Sequence, residues 1–377
     1  MLFARRTVMF RYGLLVILGL LVTMNIGYAD TASGFVWHDA KTLTFEGRGW
    51  NDTDGFYKRF PAHAKATVDA DKWASSDKTP GMVVRFISDS TAIRAKWSLS
   101  SPDLALKNMD AIGVSGLDLY ARYNGKWRWL GVGKPTGVDN EATLIEDLPA
   151  GKREYALYLP LYNGLTSLEI GIKEGAKIEP AGPRPRNLKP VVFYGTSVTQ
   201  GGCASRPGME YPAIIGRRLD VPIINLGFSG GGKCEPEVAD LLAELDPQVF
   251  VIDCLGNMKV EDVDGRLRYL LKMLKQHRPN TPVILVAVTA NQSWYAFPPA
   301  TSSPMHAKAA NLNAAMLKVY KDNVSQWNGK LLCIPNQRML GDDSEASVDG
   351  SHPSDLGHMR MADAITPTME KALRIRQ

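Results

Sequence analysis

The chain has 377 residues, 45% of them hydrophobic and 22% charged. This is an ordinary soluble composition at a length that one hydrophobic core rarely serves, so two domains are expected. The formal net charge is +5, and three of the positive residues, Arg5, Arg6 and Arg11, fall in a segment expected to be removed, which leaves +2; so small an excess argues against a nucleic-acid partner.

Residues 1–29 have the plan of a secretory signal peptide. Arginines come first, then the apolar run from Leu14 to Val22, then Gly27-Tyr28-Ala29 before Asp30. The run is shorter than the roughly 20 residues of a membrane span, so cleavage is expected over retention as an anchor. No cysteine closes the run for lipid attachment, and the Arg5-Arg6 pair sits in a context that fits twin-arginine export poorly. The expected destination is the periplasm or the medium, with no stable membrane insertion after cleavage. An exported chain meets an oxidising compartment. Cys203 and Cys234 each follow glycine-rich turns that should face one site, which makes them the candidate disulfide, whereas Cys254 and Cys333 lie in apolar strand patterns and read as buried thiols. No Cys-x-x-Cys or His-Glu-x-x-His spacing appears, and His38, His63, His277 and His306 are isolated, so no metal and no organic cofactor is expected.

From Gly34 to about Lys177 the pattern has the two-residue period of strands. Ile93, Ala95, Trp97 and Leu99 alternate with Arg94, Lys96 and Ser98. Two alternating runs, 117–123 and 126–130, flank Asn124-Gly125, a strong hairpin signal. Many short strands between turns predict an antiparallel β-sandwich, jelly-roll-like, over residues 30–178. The run from Glu179 to Arg186 is dense in proline and reads as the start of a linker, 179–189.

Residues 190–377 switch to alternating strands and helices. Apolar strands are expected at 191–194, 222–226, 249–253, 283–288 and 331–334, and helices near 210–219, 235–245, 263–275, 305–323 and 355–374. Continuous apolar strands between amphipathic helices predict a parallel sheet with helices on both faces, an α/β domain. Ligands of such sheets gather at the carboxyl ends of the strands, where Ser197, Gly230, Asn257 and the loop 289–304 are placed.

Ser197 follows the first of these strands at once, and Asp349-Gly350-Ser351-His352 lies far downstream. A serine hydroxyl needs a base, and an imidazole base needs a carboxylate to fix its tautomer. Ser197 is therefore the expected nucleophile, His352 its base and Asp349 the orienting carboxylate. His358 is a rival base, but it should lie within the last helix.

Four segments stand in order: Gly195-Thr196-Ser197, Asn225 to Gly230, Leu255-Gly256-Asn257, and Asp349 to His352. They resemble the SGNH hydrolase superfamily, the GDSL esterases, over the second half of the chain, with Ser197, Gly230, Asn257 and His352 at the four name-giving positions. The resemblance implies a flavodoxin-like catalytic domain and an oxyanion hole built from the backbone N–H groups of Ser197 and Gly230 and the side-chain amide of Asn257. It also departs from the family at one point, because Thr196 stands where Gly-Asp-Ser is usual. No Gly-x-Ser-x-Gly elbow surrounds Ser197, which disfavours the α/β-hydrolase alternative.

Substrate contacts are expected from Arg206, just past the nucleophile turn, and from Trp294 and Tyr295 in the loop beside the site; Tyr123, Trp127 and Trp129 of the first domain are further candidates for glycan contact. The resulting expectation is an exported serine esterase that removes small acyl groups, O-acetyl above all, from carbohydrate. The carbohydrate part rests on a resemblance to two-domain carbohydrate esterases. The competing readings are a lipid esterase or thioesterase, and a glycan-binding protein on an inactive hydrolase scaffold.

Overall fold

The computed structural model describes residues 34–293, 307–335 and 338–375. The expected signal peptide and the aromatic pair Trp294 and Tyr295 lie outside the described residues. Among the described residues no helix is long and apolar enough to cross a membrane.

The N-terminal half is antiparallel throughout. One sheet runs in the order Phe35–Asp39, Leu165–Lys173, Ile93–Leu99, Asp139–Ile145. The second runs Ile178–Pro180, Val83–Ser88, Arg153–Tyr158, Leu117–Tyr123, Lys126–Gly133, with Thr44–Glu46 added beside Val83–Ser88. Strand Ile93–Leu99 buries every second residue, as its alternation predicts. The inward rings and branched chains of both sheets, among them Phe86, Trp97, Tyr155 and Ile170, form one apolar cluster. The Asn124-Gly125 turn joins its two strands as expected, with φ of 49° and 73°, the left-handed pair that matches strand twist.

The second half holds five parallel strands in the order Ile223–Gly227, Val191–Gly195, Val249–Asp253, Val283–Val286, Leu331–Ile334. This is the flavodoxin-like order. Each strand is buried along nearly its whole length, which explains the unbroken apolar runs. Because successive side chains point to opposite faces, Val192, Tyr194, Phe250 and Ile252 pack under helices Pro236–Glu244, Val260–His277 and Lys308–Asn323. Val191, Phe193, Val251 and Ile284 pack with residues of Tyr211–Leu219 and Asp355–Ile375.

Residues 50–75 depart from the strand reading. They contain a short 3₁₀ turn, Ala62–Ala66, and a six-residue helix, Ala70–Ser75. Phe60, Ala64 and Val68 are buried in the same cluster as Val192 and Tyr194 of the parallel sheet. Arg59 is buried with them and donates to the carbonyl of Gly227 at 2.5 Å and to that of Ser75 at 2.8 Å. The strand Ile178–Pro180, which runs from the β-sandwich into the stretch read as a linker, pairs with Val83–Ser88. Arg184 is buried between Glu46 at 2.8 Å and Asp220 at 2.7 Å.

The cysteine pairing differs from expectation. Cys234 bonds Cys254, with Cα atoms 6.4 Å apart, while Cys203 is free and buried and Cys333 is free. Cys254 immediately follows strand Val249–Asp253 and faces the loop that carries Cys234, so the bond joins the ends of two strand loops. Cys203 instead lies beside Asp349 and His352, its sulfur within 4.8 Å of their facing atoms, and its thiol donates to the carbonyl of Asn108 at 3.1 Å.

Candidate active site

Strand Val191–Gly195 delivers Ser197 directly into the short helix Ser197–Gln200. Thr196 is the N-cap, its hydroxyl accepting from the Val198 N–H at 3.2 Å. Threonine serves this position well, so the residue that departs from Gly-Asp-Ser still closes the turn. Ser197 Oγ lies 2.9 Å from His352 Nε2. Nδ1 of His352 lies 2.8 Å from Asp349 Oδ2.

The Asp349-Gly350-Ser351-His352 turn explains that geometry. Asp349 Oδ1 accepts from the amides of Ser351 at 3.1 Å and His352 at 2.8 Å. Such a closed loop demands a left-handed residue inside it, and Gly350 has φ 86°. Oδ2 of Asp349 faces the His352 ring and also accepts from Asn108 Nδ2 at 2.9 Å. Partial burial pushes this carboxyl upward, but the bonds from the His352 amide and ring, from Asn108 and from the Ser351 amide outweigh it. They hold Asp349 well below the usual carboxylate range.

A cavity of about 290 Å³ opens over the pair, lined by Thr196, Ser197, Asn257, Val288, Lys308 and His352 among others. The structure thus brings Ser197, Asn257 and His352 to one space. Gly230 sits on the neighbouring strand loop with φ 72° and is not among the cavity's lining residues. Asn257 donates one side-chain N–H to the carbonyl of Gly231, which fixes its amide plane; an amide nitrogen carries a second donor. His358 is fully buried against backbone, 3.3 Å from the Tyr211 amide and 3.2 Å from the Gly202 carbonyl. Burial lowers it to about 4, so it is a structural histidine of the last helix.

Arg206 corrects the expectation of a substrate contact. Its guanidinium donates to Asp118 Oδ2 at 2.7 Å and to the Tyr120 hydroxyl at 2.5 Å, beneath the Trp129 ring. Asp118 is fully buried and also accepts from the Gly208 amide at 2.8 Å and from Trp129 Nε1 at 2.9 Å. Arg122 lies over the Trp127 ring in the same way. Removing one partner of a buried ion pair strands the other. Arg206→Ala is therefore expected to cost about 3 kcal/mol in urea unfolding, and a loss below about 1 kcal/mol would mean that Arg217, close to the same carboxylate, takes over.

Four residues at or near the site were not singled out from sequence. Asn108 reaches Asp349, the Tyr162 hydroxyl donates to the Ser197 carbonyl at 3.2 Å, and Lys308 and Asp253 line the cavity. Asp253 Oδ2 accepts from the Tyr211 hydroxyl at 2.9 Å and the Thr199 hydroxyl at 3.1 Å, and burial raises it to about 7. The signal for Asp118 was visible: a carboxylate inside the run Gly116-Leu117-Asp118-Leu119-Tyr120, where the neighbouring positions are apolar.

Comparison with known proteins agrees with this layout. Residues 188–370 match the GDSL-like Lipase/Acylhydrolase family, and residues 35–178 match GxDLY, the N-terminus of Esterase_SGNH_hydro-type, whose lettered motif is the run at 116–120. A Bacteroides ovatus protein assigned as a GDSL-like lipase is 32% identical, with 90% of this chain and 98% of that one aligned at a TM-score of 0.83. A salicylyl-acyltransferase from a tetracycline biosynthetic pathway shares the fold at 18% identity, with 89% and 97% covered and a TM-score of 0.70. An acetyl xylan esterase of Butyrivibrio proteoclasticus shares it at 12% identity, with 92% and 100% covered and a TM-score of 0.56. No curated protein matches the chain in sequence.

Proposed function

Because the chain belongs to the GDSL-like lipase/acylhydrolase family and is an ester hydrolase, we propose that it removes small acyl groups, O-acetyl above all, from carbohydrate outside the cytoplasm, with Ser197, His352 and Asp349 as its catalytic triad. The observation that carries this reading is the continuous relay of 2.9 Å from Ser197 Oγ to His352 Nε2 and 2.8 Å from His352 Nδ1 to Asp349 Oδ2 at the wall of the cavity.

In this reading Ser197 Oγ attacks the ester carbonyl while its proton passes to His352 Nε2. The carbonyl π electrons move to oxygen, and the resulting oxyanion is held by the N–H groups of Ser197 and Gly230 and by the free N–H of Asn257. The oxyanion collapses, the C–O bond to the sugar breaks, and His352 returns its proton to the leaving oxygen. Water, deprotonated by the same imidazole, then releases acetate and restores Ser197. Asp349 stays ionised throughout and stabilises the imidazolium. The carbohydrate part draws support from the shared architecture with an acetyl xylan esterase.

A cavity of about 290 Å³ suits an acetyl group and the sugar that bears it better than a long chain. With p-nitrophenyl esters, kcat/KM is expected to fall at least about tenfold from acetate to palmitate. A preference for palmitate would replace this reading with the lipid-esterase one. Acetate release from a panel of acetylated glycans, compared between the wild type and Ser197→Ala, tests the carbohydrate part directly. Release from none of them, with p-nitrophenyl acetate still cleaved, would overturn it.

A further inference from the structure

The carboxylate of the triad is held from two sides. Asp349 Oδ1 is satisfied within its own turn by the amides of Ser351 and His352. Oδ2 faces outward, and its partners are the His352 ring and, 241 residues away in sequence, the side-chain amide of Asn108. A carboxylate oxygen with a second fixed donor cannot swing about its Cβ–Cγ bond without breaking both contacts, so the donor sets the plane in which the imidazole is held.

The turn that carries Asn108 is built for placement. Leu106 and Met109 exchange backbone hydrogen bonds at 2.9 Å and 3.2 Å, leaving Lys107 and Asn108 at the tip. Met109 anchors the turn in a buried cluster with Val114, Leu161 and Ala204, which spans both halves of the chain. The Cys203 thiol, within 4.8 Å of the facing atoms of Asp349 and His352, also holds the turn by donating to the carbonyl of Asn108. Asparagine also suits the task chemically, because it offers an N–H donor and brings no charge beside the triad.

We propose that Asn108 is a positioning residue of the hydrolytic site, through which the N-terminal β half of the chain fixes the orientation of Asp349 and hence of His352. This rests on the triad reading given above. It gives the N-terminal half a part in the chemistry, distinct from glycan binding. Asn108 touches neither the ester nor the reacting atoms; it acts through the carboxylate.

The test uses the full chain and p-nitrophenyl acetate. Asn108→Ala is expected to lower kcat about tenfold with KM nearly unchanged, because the lost interaction orients a base that works in the transition state. The acidic limb of the kcat/KM profile is expected to move to higher pH, since a carboxylate that loses a donor holds the imidazolium more tightly. Asn108→Asp, of the same shape but placing like charge against Asp349, is expected to move that limb further in the same direction. Lys107→Ala, at the exposed tip of the same turn, is the control and is expected to match the wild type in both measures. Unchanged kcat and an unmoved acidic limb in Asn108→Ala would overturn the assignment, as would an equal loss in Lys107→Ala, which would trace the effect to the turn. If the wild type itself fails to cleave the ester, or cleaves it undiminished as Ser197→Ala, the proposed function fails instead, and the two failures are told apart in one experiment.

Discussion

Ser197→Ala is expected to lower kcat for p-nitrophenyl acetate by on the order of 10⁶-fold, the loss seen when the nucleophile of a comparable triad is removed. The substitution takes away one hydroxyl whose partner is His352, 2.9 Å away, and leaves the cap on Thr196 and the helix behind it intact. The unfolding midpoint should therefore hold, which separates a chemical loss from a structural one. Activity that remains would come from the oxyanion donors and from binding, because triad members act as a unit. His352→Ala should then cost about as much, and the double variant no more than either alone. Labelling by a fluorophosphonate should disappear with Ser197. More than about one per cent of residual turnover would remove Ser197 from the role of nucleophile.

The second large effect is on stability. Asp253 has a folded value of about 7 against an ordinary 3.8, because burial penalises its charge more than the Tyr211 and Thr199 hydroxyls relieve it. Between those two values the unfolded chain has released a proton that the folded chain retains. Stability therefore declines as the pH rises from about 4 to about 7, and above that the whole deficit remains, roughly 4 kcal/mol. Asparagine keeps an acceptor for both hydroxyls and carries no charge. Asp253→Asn is thus expected to match the wild type in urea unfolding near pH 4 and to exceed it by up to roughly 4 kcal/mol near pH 8. Equal stability at both pH values would mean that the carboxylate is well solvated through the cavity it lines.

Much of this was legible in the chain itself, for reasons that differ from residue to residue. Val191 to Tyr194 had to be a central strand, since four apolar residues in a row have no wet face to show. The serine after it, and the Asp349-to-His352 spacing, follow from local turn chemistry, and local chemistry is what a sequence displays. Asn108 was beyond reach because its meaning lies in a contact 241 residues away. The cysteine pairing failed on the same ground: a glycine-rich turn says that the chain bends there, not which way the next side chain points. Residues 60–68 were misread because a 3₁₀ turn of five residues is too short to show a period. Arg206 shows the opposite error, a residue close to the site in sequence whose charge is consumed by Asp118 below it.

The burial of Phe60, Ala64 and Val68 against the parallel sheet has a consequence for how the chain is made. Synthesis runs from the N-terminus, and these side chains emerge before any of the strands that will cover them. The antiparallel half can pair its strands early, yet its apolar segment must wait for Val192, Leu226 and Phe250 to be translated and to assemble. During that interval a sticky surface is bare, the kind of surface on which neighbouring chains associate. A chaperone that shelters residues 60–68 should raise the yield of native protein more than one that acts after release.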